Sequence, residues 1–168
     1  MKLKSLLCTL VLSLTSTIAV AQQVSVNYNH SASFASYHTY AWAADNANKI
    51  KDSILAQVAL QNVDTAMAAK GFQKVLLTAN PDLILNASGG LRQSTTYTAW
   101  GMRGFGGGMA TVTPQQNVEG TLIIDLLATS NQSLVWRGIA MNTLSTNGGK
   151  NQNMVASAVQ KMFKQWPK

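Results

Sequence analysis

The run GTLIIDLLATSNQSLVWRGIA, residues 120–140, leaves little choice of local structure. Two segments dense in β-branched and large apolar residues flank TSNQS, a polar quintet with turn chemistry, so the stretch folds as an antiparallel hairpin. With those five residues as the loop, Ala128 faces Leu134, Leu126 faces Trp136, Asp125 faces Arg137 and Ile124 faces Gly138. In that register Trp136 packs on one face, Gly138 leaves room beside Ile124, and Arg137 pairs with Asp125 on the other face. Trp136 and Arg137 are therefore structural neighbours in a strand, not a site.

Other elements are placed around this hairpin. VSVNY alternates, with Val24, Val26 and Tyr28 on one face of a strand. FASYHTYAW carries bulk on both faces, as a central strand does. Asp45, Asn46 and Asn48 offer caps for a helix from Lys49 to Lys70, whose apolar stripe is Ile50, Ile54, Val58, Ala59, Val63, Ala66 and Met67 and which stops at Gly71. Phe72 to Thr78 and Leu83 to Ala87 read as strands about a turn at ANPD. From Ser88 to about Ala110 the chain turns rich in Gly, Ser and Thr, and a long loop or mobile hairpin tip is expected. After a glycine turn at NGGKNQN, Val155, Ala158, Val159, Met162, Phe163 and Trp166 form one face of a helix from Met154 to Trp166. The expected fold is α+β: a mostly antiparallel sheet of about five strands with two helices packed on one face.

The chain opens with Lys2 and Lys4, an uncharged apolar run from Leu6 to Val20, and Ala19-Val20-Ala21, the three-part pattern of a secretory signal peptide. Cleavage after Ala21 leaves a single domain, residues 22–168, with no later transmembrane span and an expected home in the periplasm. Cys8, the only cysteine, leaves with the leader, which excludes disulfide, thiolate and zinc–sulfur chemistry from the mature chain. Leu7 stands where a lipidated cysteine needs a small residue before it, so lipid anchoring is not expected. Removing two of the 13 basic residues leaves 11 against six acids, a formal charge of +5, too scattered for a nucleic-acid surface.

The available acids are Asp45, Asp52, Asp64, Asp82, Glu119 and Asp125, and the histidines are His30 and His38. The first three acids fall at the start or on the solvent side of the helix, Asp82 in a turn, and neither histidine has a second ligand at a metal-binding spacing. No catalytic residue, metal or cofactor is assigned, and the chain is read as a non-enzyme. An envelope hydrolase using His38 or Asp125, or a small-ligand carrier, stand as alternatives. The remaining bulky groups are Tyr97, Trp100, Met102, Arg103, Phe105 and Met109, strung through residues 97–109. They read as a tip that binds an envelope protein or other envelope component, because aromatic, Met and Arg side chains are enriched in interface cores. Folding back onto the sheet, or shallow contact with a membrane surface, are the other readings. Oligomeric state is left open.

VSVNYN, FASYHTYAW, MAAKGF, PDLIL, GTLIIDL, LVWRGIA and AVQKMFKQWP, in that order, resemble the bacterial family of domains of unknown function numbered 4136, whose members are often described as lipoproteins. The resemblance spans about Val24 to Pro167. It implies an exported α+β envelope protein with no assigned reaction, and it transfers no catalytic residue.

Overall fold

The computed structural model describes residues 22–45, 49–100 and 111–167; the expected leader, residues 1–21, lies outside them. Six strands, β1 (Gln23–Tyr28), β2 (Thr39–Trp42), β3 (Gln73–Lys74), β4 (Leu83–Trp100), β5 (Thr111–Ala128) and β6 (Leu134–Thr143), form one sheet in the order β1-β6-β5-β4-β2-β3. Two helices, α1 (Ser53–Ala69) and α2 (Gly148–Lys164), complete an α+β fold. The sheet is mixed and one strand larger than expected. β2 runs parallel to both β3 and β4, because α1 supplies the crossover that a parallel return requires.

The β5–β6 hairpin sets the core. Leu126 faces Trp136, Asp125 faces Arg137 and Ile124 faces Gly138, but Leu127 rather than Ala128 stands opposite Leu134. A bulge between Leu126 and Leu127 absorbs the extra residue, and it is why the neighbours Val135 and Trp136 are both buried. Leu83, Leu85, Leu122, Ile124, Leu126 and Trp136 meet Val63 and Met67 of α1 and Val159, Met162 and Phe163 of α2 in one core. Phe163 and Trp166 lie 5.1 and 5.6 Å from the Trp136 ring by centroid.

Both helices begin where a side chain caps them, not where the apolar stripe begins. Asp52 accepts from the Ile54 and Leu55 amides, so α1 starts four residues later than expected, Ile50 precedes it, and Ile54 is exposed. Asn147 accepts from the Lys150 amide, so α2 takes in Gly148 and Gly149, which composition alone places in a turn. Gly71 ends α1 with φ +88°, where a side chain would be strained. FASYHTYAW is only half strand: Phe34–Ser36 is a 3-10 turn, and β2 lies next to the edge, flanked there by a two-residue β3. Of the strand expected from Phe72 to Thr78, only Gln73–Lys74 pairs; Leu77–Ala79 is another 3-10 turn.

The largest departure is at β4. Where a loop is expected from Ser88, the strand continues to Trp100, in unbroken register with β5 from Leu83–Ala128 out to Trp100–Thr111. Thr95, Thr96, Tyr97 and Thr98 count as polar in a hydropathy pattern yet are strong strand formers once a partner strand is present.

Candidate functional site

β4 and β5 outrun their neighbours. β2 ends at Trp42, opposite Leu85, and β6 ends at Thr143, opposite Glu119. Beyond β2, Leu91–Trp100 and Thr111–Gly120 continue as an antiparallel arm about 30 Å long at the usual strand rise, paired with β6 only at Glu119 and Gly120 and two-stranded further out. Its two faces differ. The face continuous with the helix side of the sheet carries Leu91, Gln93, Thr95 and Tyr97 beside Val112, Pro114, Gln116 and Val118; the other carries Arg92, Ser94 and Thr96 beside Thr113, Gln115, Asn117 and Glu119. Leu91, Tyr97 and Val112 are 53, 69 and 54% exposed, so the apolar face is uncovered. On the polar face Asn117 Nδ2 donates to Thr96 Oγ1 at 3.2 Å.

At the root of the arm, on the same side, lies an apolar cleft of about 70 Å³. Ile50, Leu55, Leu91, Leu144, Met154 and Val155 form its walls, and strand positions Gly89 and Gly120 its floor. Space is tight there: a Cβ on Gly89 would stand 3.2 Å from the Thr121 carbonyl and 3.3 Å from Ile50, and one on Gly120 would stand 3.0 Å from Leu144. Polar groups at the rim are already engaged in structure. Asp52 caps α1, Asn142 Nδ2 donates to Met154 Sδ at 3.0 Å, and Asn151 exchanges hydrogen bonds with the Ser145 backbone at 2.8 Å. The cleft can shelter an apolar group. Lys51 and Thr121 also line it.

Of the expected binding residues, Tyr97 is exposed on the arm and Trp100 ends β4. Met102, Arg103, Phe105 and Met109 lie outside the described residues. Trp136 is fully buried, and Gly138 makes room for the Trp136 ring edge and Met162, which approach it more closely than Ile124 does. Arg137 donates from Nε and Nη2 to the two Asp125 oxygens at 2.6 and 2.7 Å, on the sheet face opposite the helices. With the guanidinium side 43% exposed, solvent screens the pair. Arg137→Ala is expected to cost only about 0.2–1 kcal/mol by urea unfolding; a loss of several kcal/mol would show that the pair anchors the fold.

Asp64, expected to face solvent, instead accepts from Tyr40 Oη at 2.9 Å, Trp42 Nε1 at 2.8 Å and Lys74 Nζ at 2.8 Å. It joins α1 to β2 and β3. The missed signal is that Tyr40 and Trp42 share a strand face and both bring a polar tip that needs an acceptor when buried. Burial first, then the hydrogen bond and charge of Asp64, hold the Tyr40 phenol well above its ordinary value of 10.0. A raised folded-state pKa means this stability is complete below pH 10 and falls as pH rises beyond it. Wild type should therefore lose stability between pH 10 and 12 more steeply than Tyr40→Phe in urea titrations; equal slopes would remove Tyr40 as the cause.

Asp82 likewise is no idle turn residue: its Oδ2 accepts from the His38 amide, the Thr39 amide and Thr39 Oγ1, each at 2.9 Å. Those bonds hold its carboxyl below the usual range. His38 is exposed, and the His30 ring lies 4.4 Å from that of Tyr28. Among the described residues no three His, Cys, Asp or Glu side chains gather where they could hold a metal, and no helix is long and apolar enough to cross a membrane.

The profile of the DUF4136 family, a domain of unknown function, matches residues 24–168. A DUF4136 family protein from Bacteroides thetaiotaomicron superposes with a TM-score of 0.54 at 18% identity, over 86% of this chain and 95% of its own. A PelC dodecamer subunit from Paraburkholderia phytofirmans gives 0.52 at 14% identity, over 84% of this chain and 95% of its own. A PDZ domain protein from Parabacteroides distasonis gives 0.57 at 14% identity over 88% of this chain, which spans only 37% of that longer protein. At such identities the likeness is one of fold. No curated protein matches the chain in sequence.

Proposed function

This chain belongs to the DUF4136 family, and on that premise we propose that it is an exported, non-enzymatic envelope protein that binds a partner along the apolar face of its arm. The observation that carries this reading is a shared face: exposed Leu91, Tyr97 and Val112, with Gln93, Thr95 and Gln116 between them, lie on the side of the sheet where Leu91 lines an apolar cleft at the arm's root. Uncovered apolar surface of that kind marks interaction sites. At about 70 Å³ the cleft falls far short of the ~300–1,000 Å³ of pockets that enclose whole small ligands. It suits one apolar side chain of a protein partner, which weighs against the carrier reading. The hydrolase reading finds little support, since Asp125 is clamped by Arg137 and His38 is exposed rather than set in a cleft. Export is supported by the leader pattern that ends at Ala21.

Photo-crosslinking in intact cells tests the proposal, with the reactive group at Tyr97 and a control at Asn131 in the β5–β6 turn. The expected result is a discrete adduct to another envelope protein from position 97 and none from 131, on chains that begin at Gln22. Efficient incorporation with no foreign adduct at 97 would overturn it, including the case in which 97 crosslinks only to a second copy of this chain.

A further inference from the structure

The arm's two edges are not equivalent. Hydrogen bonds at the arm's root fix which residues point outward: the Gly89 amide donates away from β5 to the Lys49 carbonyl at 3.1 Å, and the Val118 carbonyl accepts from the Leu144 amide at 2.7 Å, away from β4. Backbone direction alternates along a strand. On β4 the outward residues are therefore Leu91, Gln93, Thr95, Tyr97 and Ala99, and on β5 they are Val112, Pro114 and Gln116. Pro114 has no amide hydrogen to offer, so the β5 edge is interrupted at its middle. The β4 edge has no proline or lysine, and its outward amides and carbonyls from Leu91 to Ala99 have no partner among the described residues. Such an edge is a template for another strand.

We propose that this β4 edge pairs with the same edge of a second copy, antiparallel about a two-fold axis at Thr95. The register follows from the outward residues. Thr95 faces Thr95, Gln93 faces Tyr97 and Leu91 faces Ala99 of the other copy, all as hydrogen-bonded pairs, which gives about ten new backbone hydrogen bonds. The segment is self-complementary. STTYTAW, residues 94–100, is uncharged, free of proline and rich in β-branched and aromatic residues, the composition that pairs with itself when left on an edge. Charge permits it as well: Arg92, the only charged residue of Leu91–Trp100, falls opposite Thr98 and not opposite its own copy. The proline block on β5 opposes β4-to-β5 chaining, so the association closes as a dimer instead of growing head to tail. Pairing joins two amphipathic ribbons into one four-stranded sheet with the apolar faces on the same side. The inference does not depend on which partner, if any, binds that face.

The test is sedimentation equilibrium of the purified chain at about 100 µM, with three variants. Thr95→Pro removes an outward amide at a position where, as at Pro114, no hairpin bond is lost. The expected result is a doubled mass for wild type and for Thr96→Val, whose backbone faces β5, and a single mass for Thr95→Pro with unchanged circular dichroism. Thr95→Cys, free of the folding risk of proline, should form an intermolecular disulfide on mild oxidation, because hydrogen-bonded pairs set Cα atoms about 5.5 Å apart. A monomeric wild type, an assembly indifferent to Thr95→Pro in folded protein, or no disulfide at position 95 would each overturn the proposal.

Discussion

Trp136→Ala is expected to lower unfolding stability by about 3–5 kcal/mol. The indole is fully buried, tilted against the stacked rings of Phe163 and Trp166 and paired across the strands with Leu126. Alanine removes the whole ring, and the surrounding groups are held by two β-ladders, β1–β6 and β5–β6, so the void cannot collapse. Nε1 has no hydrogen-bond partner among the described residues, so the substitution breaks no hydrogen bond of the ring and the loss comes from packing. Against a total of about 5–15 kcal/mol for a domain of this size, such a loss removes between about a fifth and all of the stability. Urea unfolding followed by circular dichroism measures it, with Val112→Ala on the exposed arm as reference, expected within about 0.5 kcal/mol of wild type. A loss below 1 kcal/mol at Trp136 would mean that the aromatic cluster is not the centre of the fold.

Gly138→Ala should be destabilising by the opposite route, overfilling. A Cβ at this position would stand 2.7 Å from Trp136 Cη2 and 2.8 Å from Met162 Sδ. The Trp136 edge cannot retreat, since its ring is enclosed, so Met162 or the β6 backbone must move, at a cost of about 1–3 kcal/mol. A double-mutant cycle separates this from intrinsic strand propensity. Met162→Ala alone opens a cavity and should cost about 2–5 kcal/mol; combined with Gly138→Ala the two losses should sum to less than their separate values, because the new methyl occupies space that Met162 vacates. Strict additivity would show that the clash is relieved elsewhere.

The candidate site was much less legible than the core. Tyr97 stands out in the sequence as a bulky group in a glycine-rich region, and it is exposed on the arm. That the arm is a strand pair was hidden, because threonine scores as polar and the hydrogen bonds that straighten Leu91–Trp100 come from Thr111–Gly120 across the hairpin. The cleft was invisible for a related reason: Ile50, Leu91, Leu144 and Val155 come from four separate segments and share no spacing. Asp64 reads as a solvent-side helix residue until Tyr40 and Trp42, 24 and 22 residues away, are brought against it.

Local pattern sufficed wherever an element carried its own signal. Strand-forming runs about TSNQS, the glycine after α1 and the periodic aromatic stripe of α2 each state a conformation and the side that is buried, and together they gave the α+β class and the family. The parallel placement of β2, the bulge below Trp136, the length of β4 and the cleft depended on contacts between distant segments. Periodicity records which face of an element is apolar, a property of neighbouring residues. Which surface that face meets, and how far a strand runs, depends on hydrogen bonds and packing shared with a partner elsewhere in the chain, and that energy exists only once the two are together.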